Sequence, residues 1–253
     1  MRFEPGFAKI FPAAVRRPAI KGLVWAWSTG YFSGMKAFLF SVLVAAGLAN
    51  LGRADDVITP TERTELFNGK DFTGWTFCAK GGADPLKTWS IHDGVIHCTG
   101  KPTGYLRTLK NYRNYEVDVT WRFLRIAPKA DNTGVLVHMQ LPDKVWPECI
   151  QVQGKHQRQG DLFLMSGAES IEHRGMDANT PLPLHGQSAE KAVGEWNTAN
   201  TICSNDVVIS YINGKWMNQT TGCTLTSGAI GFQSEGGDME IRTVTLLPLP
   251  GAK

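Results

Sequence analysis

Apolar and polar residues alternate along two stretches near the middle of the chain, residues 134–140 and 149–153. Side chains point to opposite faces of a β-strand in turn, so this period of two predicts a strand in each stretch. One face of the first strand is predicted to carry Val135, Val137 and Met139, and the opposite face Leu136, His138 and Gln140. The second strand is predicted to carry Ile150 and Val152 on its apolar face, and Gln151 and Gln153 on its polar face.

If these two strands are neighbours, four polar side chains line one patch: His138, Gln140, Gln151 and Gln153. Imidazole and carboxamide groups can each donate and accept hydrogen bonds. The patch is therefore a candidate binding site for a hydroxyl-rich ligand.

The chain from Leu66 onward consists of short strand patterns separated by turn residues. Asp93-Gly94 and Asn213-Gly214 each lie between two alternating runs, which predicts two β-hairpins. No stretch of this part shows a sustained helical period, so we expect an all-β antiparallel sandwich or jelly roll. The polar residues 167–195 break the pattern, and loops of that length are typically functional or mobile.

The first fifty-odd residues have the character of a targeting segment. A basic start at Met35-Lys36, an apolar run and the small residues Gly52 and Ala54 predict a cleavable secretory signal over residues 35–54. Residues 1–34 are interpreted as an upstream extension or as the result of a start codon assigned too early. The alternative is an N-terminal membrane anchor over residues 23–51.

We therefore expect an exported protein, periplasmic or extracellular, whose mature form has no stable membrane span. The net charge of +3 owes much to the N-terminal segment, and no basic stripe for nucleic acid follows it. Five cysteines remain, and the favoured disulfide pairs are Cys78–Cys98 and Cys203–Cys223. Cys149 is left over and is interpreted as a small buried residue.

An ordered set of short motifs extends over residues 66–247. They begin with Leu66-Phe67-Asn68-Gly69-Lys70-Asp71, Trp89-Ser90-Ile91-His92-Asp93-Gly94 and Gly104-Tyr105-Leu106-Arg107-Thr108. They continue with Asn132-Thr133-Gly134-Val135, Ile150-Gln151-Val152-Gln153, Gly194-Glu195-Trp196-Asn197 and Gly231-Phe232-Gln233-Ser234-Glu235-Gly236. This set resembles the 3-keto-disaccharide hydrolase family. The resemblance implies a concanavalin-like jelly-roll sandwich of two curved antiparallel sheets, which we assign to residues 62–249.

The resemblance also implies an activity, cleavage of the glycosidic bond in a sugar that carries a ketone at C3. The ketone acidifies the C2 proton, so a base can remove it and the aglycone can leave from C1 by β-elimination. Such a site needs a base, a group that stabilises the enolate and a proton donor, and a divalent metal could supply the second. Family members commonly carry glutamate where this chain has Gln151, which puts catalysis in question.

Three residues are predicted to be catalytic: His138, Glu235 and Arg122. His138 is the candidate base, with a structural histidine as the alternative, and Arg122 could instead form an ion pair with Asp118. The residues predicted to bind the substrate are Gln151, Gln153, Gln140, Trp146 and Asn132. His156 is a candidate metal ligand, although a solvated turn explains its polar surroundings equally well.

Two functions stay open on the sequence alone. The first is an enzyme that acts on 3-keto glycosides or disaccharides by hydrolysis or β-elimination, and the second is a lectin-like carbohydrate-binding module. An oligosaccharide or glycoside ligand is expected in both. Gln151 favours the module, whereas Gln153, Glu235 and His138 favour the enzyme. A third hypothesis is a structural extracellular protein whose sandwich binds another protein.

Overall fold

A computed structural model describes residues 56–125 and 132–251 of the chain. The predicted signal at residues 35–54 and the upstream residues 1–34 lie outside the described residues. Two 3-10 turns, at Lys80–Gly82 and Pro85–Lys87, are the helical elements of the described part, and neither is long or apolar enough to cross a membrane.

Strands make up most of the described structure. The first eight are β1 (Val57–Ile58), β2 (Thr64–Glu65), β3 (Trp75–Ala79), β4 (Trp89–His92), β5 (Val95–Cys98), β6 (Gly104–Thr108), β7 (Asn111–Tyr112) and β8 (Tyr115–Phe123). The remaining eight are β9 (Gly134–Met139), β10 (Cys149–Gln153), β11 (Leu162–Met165), β12 (Asn197–Ser204), β13 (Val207–Ile212), β14 (Lys215–Thr220), β15 (Ala229–Ser234) and β16 (Met239–Pro248).

The long strands form two antiparallel sheets. One has six strands in the order β11-β10-β9-β15-β6-β3. The other has eight, in the order β14-β13-β12-β8-β16-β5-β4, with β2 paired to β16. The short strands β1 and β7 form a separate parallel pair. Neighbours in each large sheet are often far apart in sequence, as the jelly-roll topology requires.

The predicted hairpins are confirmed. Asp93 and Gly94 join β4 to β5 with φ angles of 50° and 75°, and Asn213 and Gly214 join β13 to β14 with 51° and 76°. Two consecutive positive φ angles are typical of the tight turns whose twist matches that of paired strands. Asparagine, aspartate and glycine tolerate this conformation better than other residues do.

The two large sheets pack face to face around one apolar core. Alternate residues of β8, among them Val117, Val119 and Trp121, pack in the same cluster as Ile150 and Val152 of β10. The alternation along β10 is therefore as predicted, and it turns the intervening residues to the outer face of the six-stranded sheet.

The cysteines of the domain are free thiols. The Cys78–Cys98 and Cys203–Cys223 pairings favoured from the sequence are therefore wrong for this structure. Cys78 packs in the cluster on the outer face of the six-stranded sheet, whereas Cys98 lies in the core between the sheets. Cys149 is fully buried, and burial raises the pKa of its thiol well above the ordinary range, which agrees with its interpretation as an unreactive buried residue.

Candidate functional site

Three glutamines lie together on the outer face of the six-stranded sheet. Gln151 and Gln153 extend from β10, and Gln233 extends from β15. All three are at most 6% exposed. Strand β9 runs between β10 and β15, so Gln233 reaches the other two across an intervening strand.

A gap in the side-chain layer over β9 permits this contact. Gly134 of β9 pairs with Gln153, and a Cβ atom at Gly134 would come within 2.9 Å of both Cγ and Nε2 of Gln151. Because glycine has no side chain, the Gln151 amide can extend over β9. Its Nε2 donates to Oε1 of Gln153 at 2.8 Å and to Oε1 of Gln233 at 3.1 Å.

The three amides form part of the floor of a cleft of about 460 Å³. The residues that line it are Asn132, Trp146, Gln151, Gln153, Phe163, Met165, Ser166, Ala178, Asn179, Gln233 and Glu235. Ala178 and Asn179 belong to the long polar loop, so one part of that loop lies at the cleft. This lining includes apolar, neutral polar and acidic side chains but no lysine, arginine or histidine.

Glu235 is the one carboxylate in the lining of the cleft. Its Oε2 accepts a hydrogen bond from Nδ2 of Asn132, and the backbones of the two residues form an isolated antiparallel bridge. Burial raises the pKa of Glu235, and this effect outweighs the hydrogen bond from Asn132 and the nearby charge of Lys155, both of which lower it. A carboxylate with a raised pKa is a stronger base than an exposed one.

Trp146 lies at the edge of the cleft with 42% of its surface exposed. The loop that carries it, between β9 and β10, is fastened to the sheet through Asp143. Arg107 donates two hydrogen bonds of 2.7 Å to the Asp143 carboxylate, and the Tyr105 hydroxyl donates a third of 2.8 Å. These bonds lower the pKa of Asp143, with Arg107 as the largest cause. The fastening holds an exposed aromatic face beside the polar floor.

The prediction that His138 faces the polar patch is wrong. Strands β9 and β15 pair at Met139 with Ala229 and at Leu136 with Gly231. Two residues of β9 lie between these pairs but only one residue of β15, so β9 contains a β-bulge. His138 has a φ of 54° at this bulge. The extra residue reverses the alternation, so Met139 takes the outer face with Leu136.

His138 is therefore buried inside the sandwich. It is 0% exposed, its Nδ1 lies 3.0 Å from the carbonyl oxygen of Leu225, and its ring packs edge-on against Tyr115. Burial lowers its pKa to about 4, which keeps the ring neutral. A base that acts on a ligand in the cleft cannot be buried in the core, so the structural interpretation replaces the catalytic one.

Arg122 also lies away from the cleft. It extends from β8 in the other sheet, donates to Glu240 at 2.8 Å, and stacks 4.3 Å from the centre of the Trp196 ring. The predicted catalytic role is therefore wrong, because Arg122 lies in the sheet that does not form the cleft. Its ion pair is made with Glu240 rather than with Asp118.

Two further predicted residues have local partners outside the cleft. Gln140 donates to the backbone carbonyls of His138 at 2.9 Å and Ser227 at 2.7 Å, so its amide joins the end of β9 to the loop before β15. His156 pairs with Glu190 at 2.9 Å in a separate surface groove. Within residues 56–125 and 132–251, no group of three or more histidine, cysteine, aspartate or glutamate side chains could hold a metal ion.

Of the predicted site residues, the structure brings together Gln151, Gln153, Trp146, Asn132 and Glu235. Gln233 was missed as a site residue, although it lies two positions before Glu235 and so shares its side of an extended chain. Phe163, Met165 and Asn179 were also missed. Phe163 and Met165 alternate with core residues of β11, but only their pairing with β10 places them in the cleft.

Solved structures share this architecture. A candidate glycosyl hydrolase from Parabacteroides distasonis ATCC 8503 is 24% identical, with a TM-score of 0.55 over 77% of this chain and 99% of that chain. A second from the same organism is 19% identical, with a TM-score of 0.51 over 74% and 100%. A carbohydrate-binding module from Bacillus subtilis is 10% identical, with a TM-score of 0.50 over 69% and 95%. At these identities the likeness establishes the fold, and it confirms the predicted jelly-roll sandwich.

No curated protein matches the chain. The sequence profile of the 3-keto-alpha-glucoside-1,2-lyase-like domain matches residues 62–247, which include every strand of the two large sheets except the last residue of β16. The match agrees with the resemblance carried by the ordered motifs. The chain therefore belongs to the family of 3-keto-alpha-glucoside-1,2-lyase-like domains.

Proposed function

We propose that the protein cleaves the glycosidic bond of 3-keto glycosides by β-elimination, with Glu235 as the base. The observation that supports this most is the position of Glu235, a carboxylate of raised pKa in a cleft floored by neutral amides. Family membership supports the substrate class, since the family is named for 3-keto glucosides.

The reaction uses the acidity that the ketone confers on C2. The Glu235 carboxylate takes the C2 proton, and the electrons of the C2–H bond form an enolate with the C3 carbonyl. The enolate then collapses, a C1–C2 double bond forms, and the C1–O bond to the aglycone breaks. The leaving oxygen takes a proton from water, and the hydroxide that remains takes the proton from Glu235, which restores the carboxylate. The products are an unsaturated 3-keto sugar and a free alcohol, and addition of water to that sugar completes a net hydrolysis.

The remaining lining residues supply binding and orientation. Trp146 offers an exposed aromatic face to the apolar side of a sugar ring, and the glutamine amides can bond to hydroxyl and carbonyl oxygens. The cleft lining has no basic side chain, so an uncharged sugar fits it better than an acidic one. The ligand we infer is a neutral glycoside or oligosaccharide.

The cleft does not match the requirements of a protein-held divalent metal. Hard cations such as Ca²⁺ and Mg²⁺ prefer several oxygen ligands with carboxylates among them. Glu235 is the single carboxylate in the lining, its Oε2 is bonded to Asn132, and the neighbouring donors are neutral amides. The steps above therefore use the side chains of the chain and water, without a metal ion.

A turnover assay tests the proposal. Purified protein is incubated with the α and β anomers of 4-nitrophenyl 3-keto-glucoside, and nitrophenol release is followed. E235Q is expected to lower kcat about 10²- to 10⁴-fold, because general base catalysis contributes about that much. E190Q is the matched control, since Glu190 is a buried carboxylate in another groove. An E235Q enzyme as fast as wild type would refute the proposal.

The second candidate function is a carbohydrate-binding module, and one observation favours it. The side chain of Gln151 is an amide, which cannot accept a proton at neutral pH, whereas the family resemblance implies glutamate at this position. If the wild-type protein binds methyl 3-keto-glucoside or methyl glucoside by calorimetry but releases no nitrophenol, the module replaces the enzyme.

Export also belongs to the proposal. It depends on the signal pattern of residues 35–54, which ends just before the domain. N-terminal sequencing of the protein recovered from the periplasm or medium tests it. The expected first residue is Asp55. Recovery of an intact chain in the membrane fraction would favour the anchor instead.

A further inference from the structure

The two hydrogens of one amide group determine how the glutamine cluster is oriented. An amide –NH₂ group has two N–H donors. Gln151 uses both, one to Oε1 of Gln153 and one to Oε1 of Gln233. Both accepting oxygens are thereby turned toward Gln151, and the Nε2 atoms of Gln153 and Gln233 must point elsewhere.

These two nitrogens are directed at the cleft. In the described part of the chain, neither Nε2 of Gln153 nor Nε2 of Gln233 has a hydrogen-bond partner. Both atoms keep some access to solvent, unlike the fully buried polar atoms of the described residues that have no partner. Both residues line the cleft, so their N–H groups are open to a ligand although the side chains are 6% and 3% exposed.

From this arrangement we propose that the amide nitrogens of Gln153 and Gln233 bind the C3 oxygen of the substrate and stabilise the enolate. Gln151 is then a positioning residue that orients the two donors. The inference rests on the proposed function, which it deepens by naming the groups that carry the developing charge. Neither donor needs to move as the reaction proceeds.

The chemistry follows from where charge develops. When Glu235 takes the C2 proton, the π electrons of the C3 carbonyl move onto its oxygen, which becomes negative. Fixed N–H donors bond more strongly to that oxygen than to the neutral ketone, so they lower the barrier rather than only tighten binding. When the enolate collapses, its oxygen returns the electron pair to the C3 carbonyl, the C1–O bond breaks and water protonates the leaving oxygen. No further reactant is consumed.

The position of the cluster fits this role. Glu235 follows Gln233 by two residues at the end of β15, so base and donor project from neighbouring positions of one chain segment. Gln153 lies on the far side of β9 from both. A substrate oxygen that bonds to both amides would be held by groups from two strands, in the cleft that Glu235 also lines.

Steady-state kinetics of methionine variants test the proposal. Methionine has nearly the length of glutamine and lacks the amide. With 4-nitrophenyl 3-keto-glucoside, Q153M and Q233M are each expected to lower kcat about 10²-fold, as the loss of one oxyanion donor does, with KM changed less than about threefold. Q219M is the control, because Gln219 is an exposed glutamine on β14 of the other sheet, outside the lining of the cleft. Variants that raise KM alone would overturn the proposal.

A spectroscopic measurement separates this inference from the proposed function. Methyl 3-keto-glucoside labelled with ¹³C at C3 is bound to E235Q, which holds the sugar without removing its proton. The C3 resonance is expected to move downfield when the sugar binds to E235Q. In the double variants E235Q/Q153M and E235Q/Q233M this shift is expected to be lost. Equal shifts in all these proteins would overturn the inference, even if wild-type turnover is normal. If wild type shows no turnover but the shift behaves as expected, the two amides bind the C3 oxygen as proposed, and the proposed lyase activity is refuted.

Q151M tests the positioning role separately. It leaves both donors in place but removes the bonds that orient them, so kcat is expected to fall less than in the Q153M/Q233M double variant. The pH at which activity falls on the acidic side is expected to stay unchanged, because Glu235 bonds to Asn132 and not to Gln151. Circular dichroism and thermal melts check that each variant is folded.

Discussion

Asn132 donates a side-chain hydrogen bond to the carboxylate of Glu235, and a backbone bridge joins the same two residues. A bond to the ionised form of an acid lowers its pKa, whereas burial raises it. In Glu235 burial has the larger effect, and Asn132 limits the rise. The amide therefore adjusts the basicity of the proposed base without itself taking part in proton transfer.

We expect N132A to move the acidic limb of the pH profile to higher pH. The base must be ionised, so kcat/KM falls as pH falls through the pKa of Glu235. Without the Asn132 bond that pKa rises further, and activity is lost at a higher pH than in wild type. N179A, on the same cleft but without a bond to Glu235, serves as the control. An unchanged acidic limb in N132A would contradict this account.

A second prediction concerns the stability of the fold in acid. The pKa of His138 is about 4 in the folded chain against 6.5 for an exposed histidine, because burial disfavours the charged ring. The unfolded chain thus takes up a proton between those values and the folded chain does not. The contribution of the neutral ring to the free energy of unfolding is fully present above pH 6.5 and is lost as pH falls toward 4. The whole loss is about 3 kcal/mol.

Urea unfolding between pH 7 and pH 4 measures this effect. H138N keeps a residue that tolerates the positive φ at this position, and it removes the titrating group. Its free energy of unfolding is expected to depend less steeply on pH than that of wild type. H92N, at an exposed hairpin position, should keep the wild-type slope. Parallel curves for H138N and wild type would show that His138 does not contribute.

The exposed ring of Trp146 leads to a prediction on affinity. Aromatic contacts contribute about 0.5–1.5 kcal/mol beyond simple burial, so W146A is expected to weaken sugar binding about 2- to 10-fold with kcat unchanged. Trp216 has a similar exposure, 39% against 42%, but lies on β14 of the other sheet. W216A is therefore the matched control in calorimetry, and an equal loss in both variants would refute a specific role for Trp146.

Gly134 is predicted to be essential for the glutamine cluster. A Cβ atom there would lie 2.9 Å from Gln151 and 3.0 Å from the carbonyl oxygen of Val152. G134A should therefore destabilise the fold by about 1–3 kcal/mol and displace the Gln151 amide. A double-mutant cycle with Q151A checks the cause, because removing the Gln151 side chain should recover part of the loss. If the losses in free energy of unfolding from G134A and Q151A were strictly additive, the strain in G134A would not come from contact with Gln151.

Much of the local structure was predictable from the sequence. The period of two predicted the correct faces of β10, and the turn residues predicted both hairpins. These features depend on neighbours within a few residues, where steric preference and solvent exposure act directly. Asn132, Trp146, Gln151, Gln153 and Glu235 were recognised by residue type and motif, and all line the cleft.

The tertiary structure decided what shares a surface. One extra residue in β9 turned His138 into the core, and a strict alternation cannot reveal such a bulge because it arises from the mismatch between β9 and β15. Sheet order brought Gln233 to Gln151 across the gap at Gly134, and it put Arg122 in the opposite sheet. The sequence by itself determined the strands, their turns and the family. Pairing between distant strands selected the site, because it depends on packing that no local pattern contains.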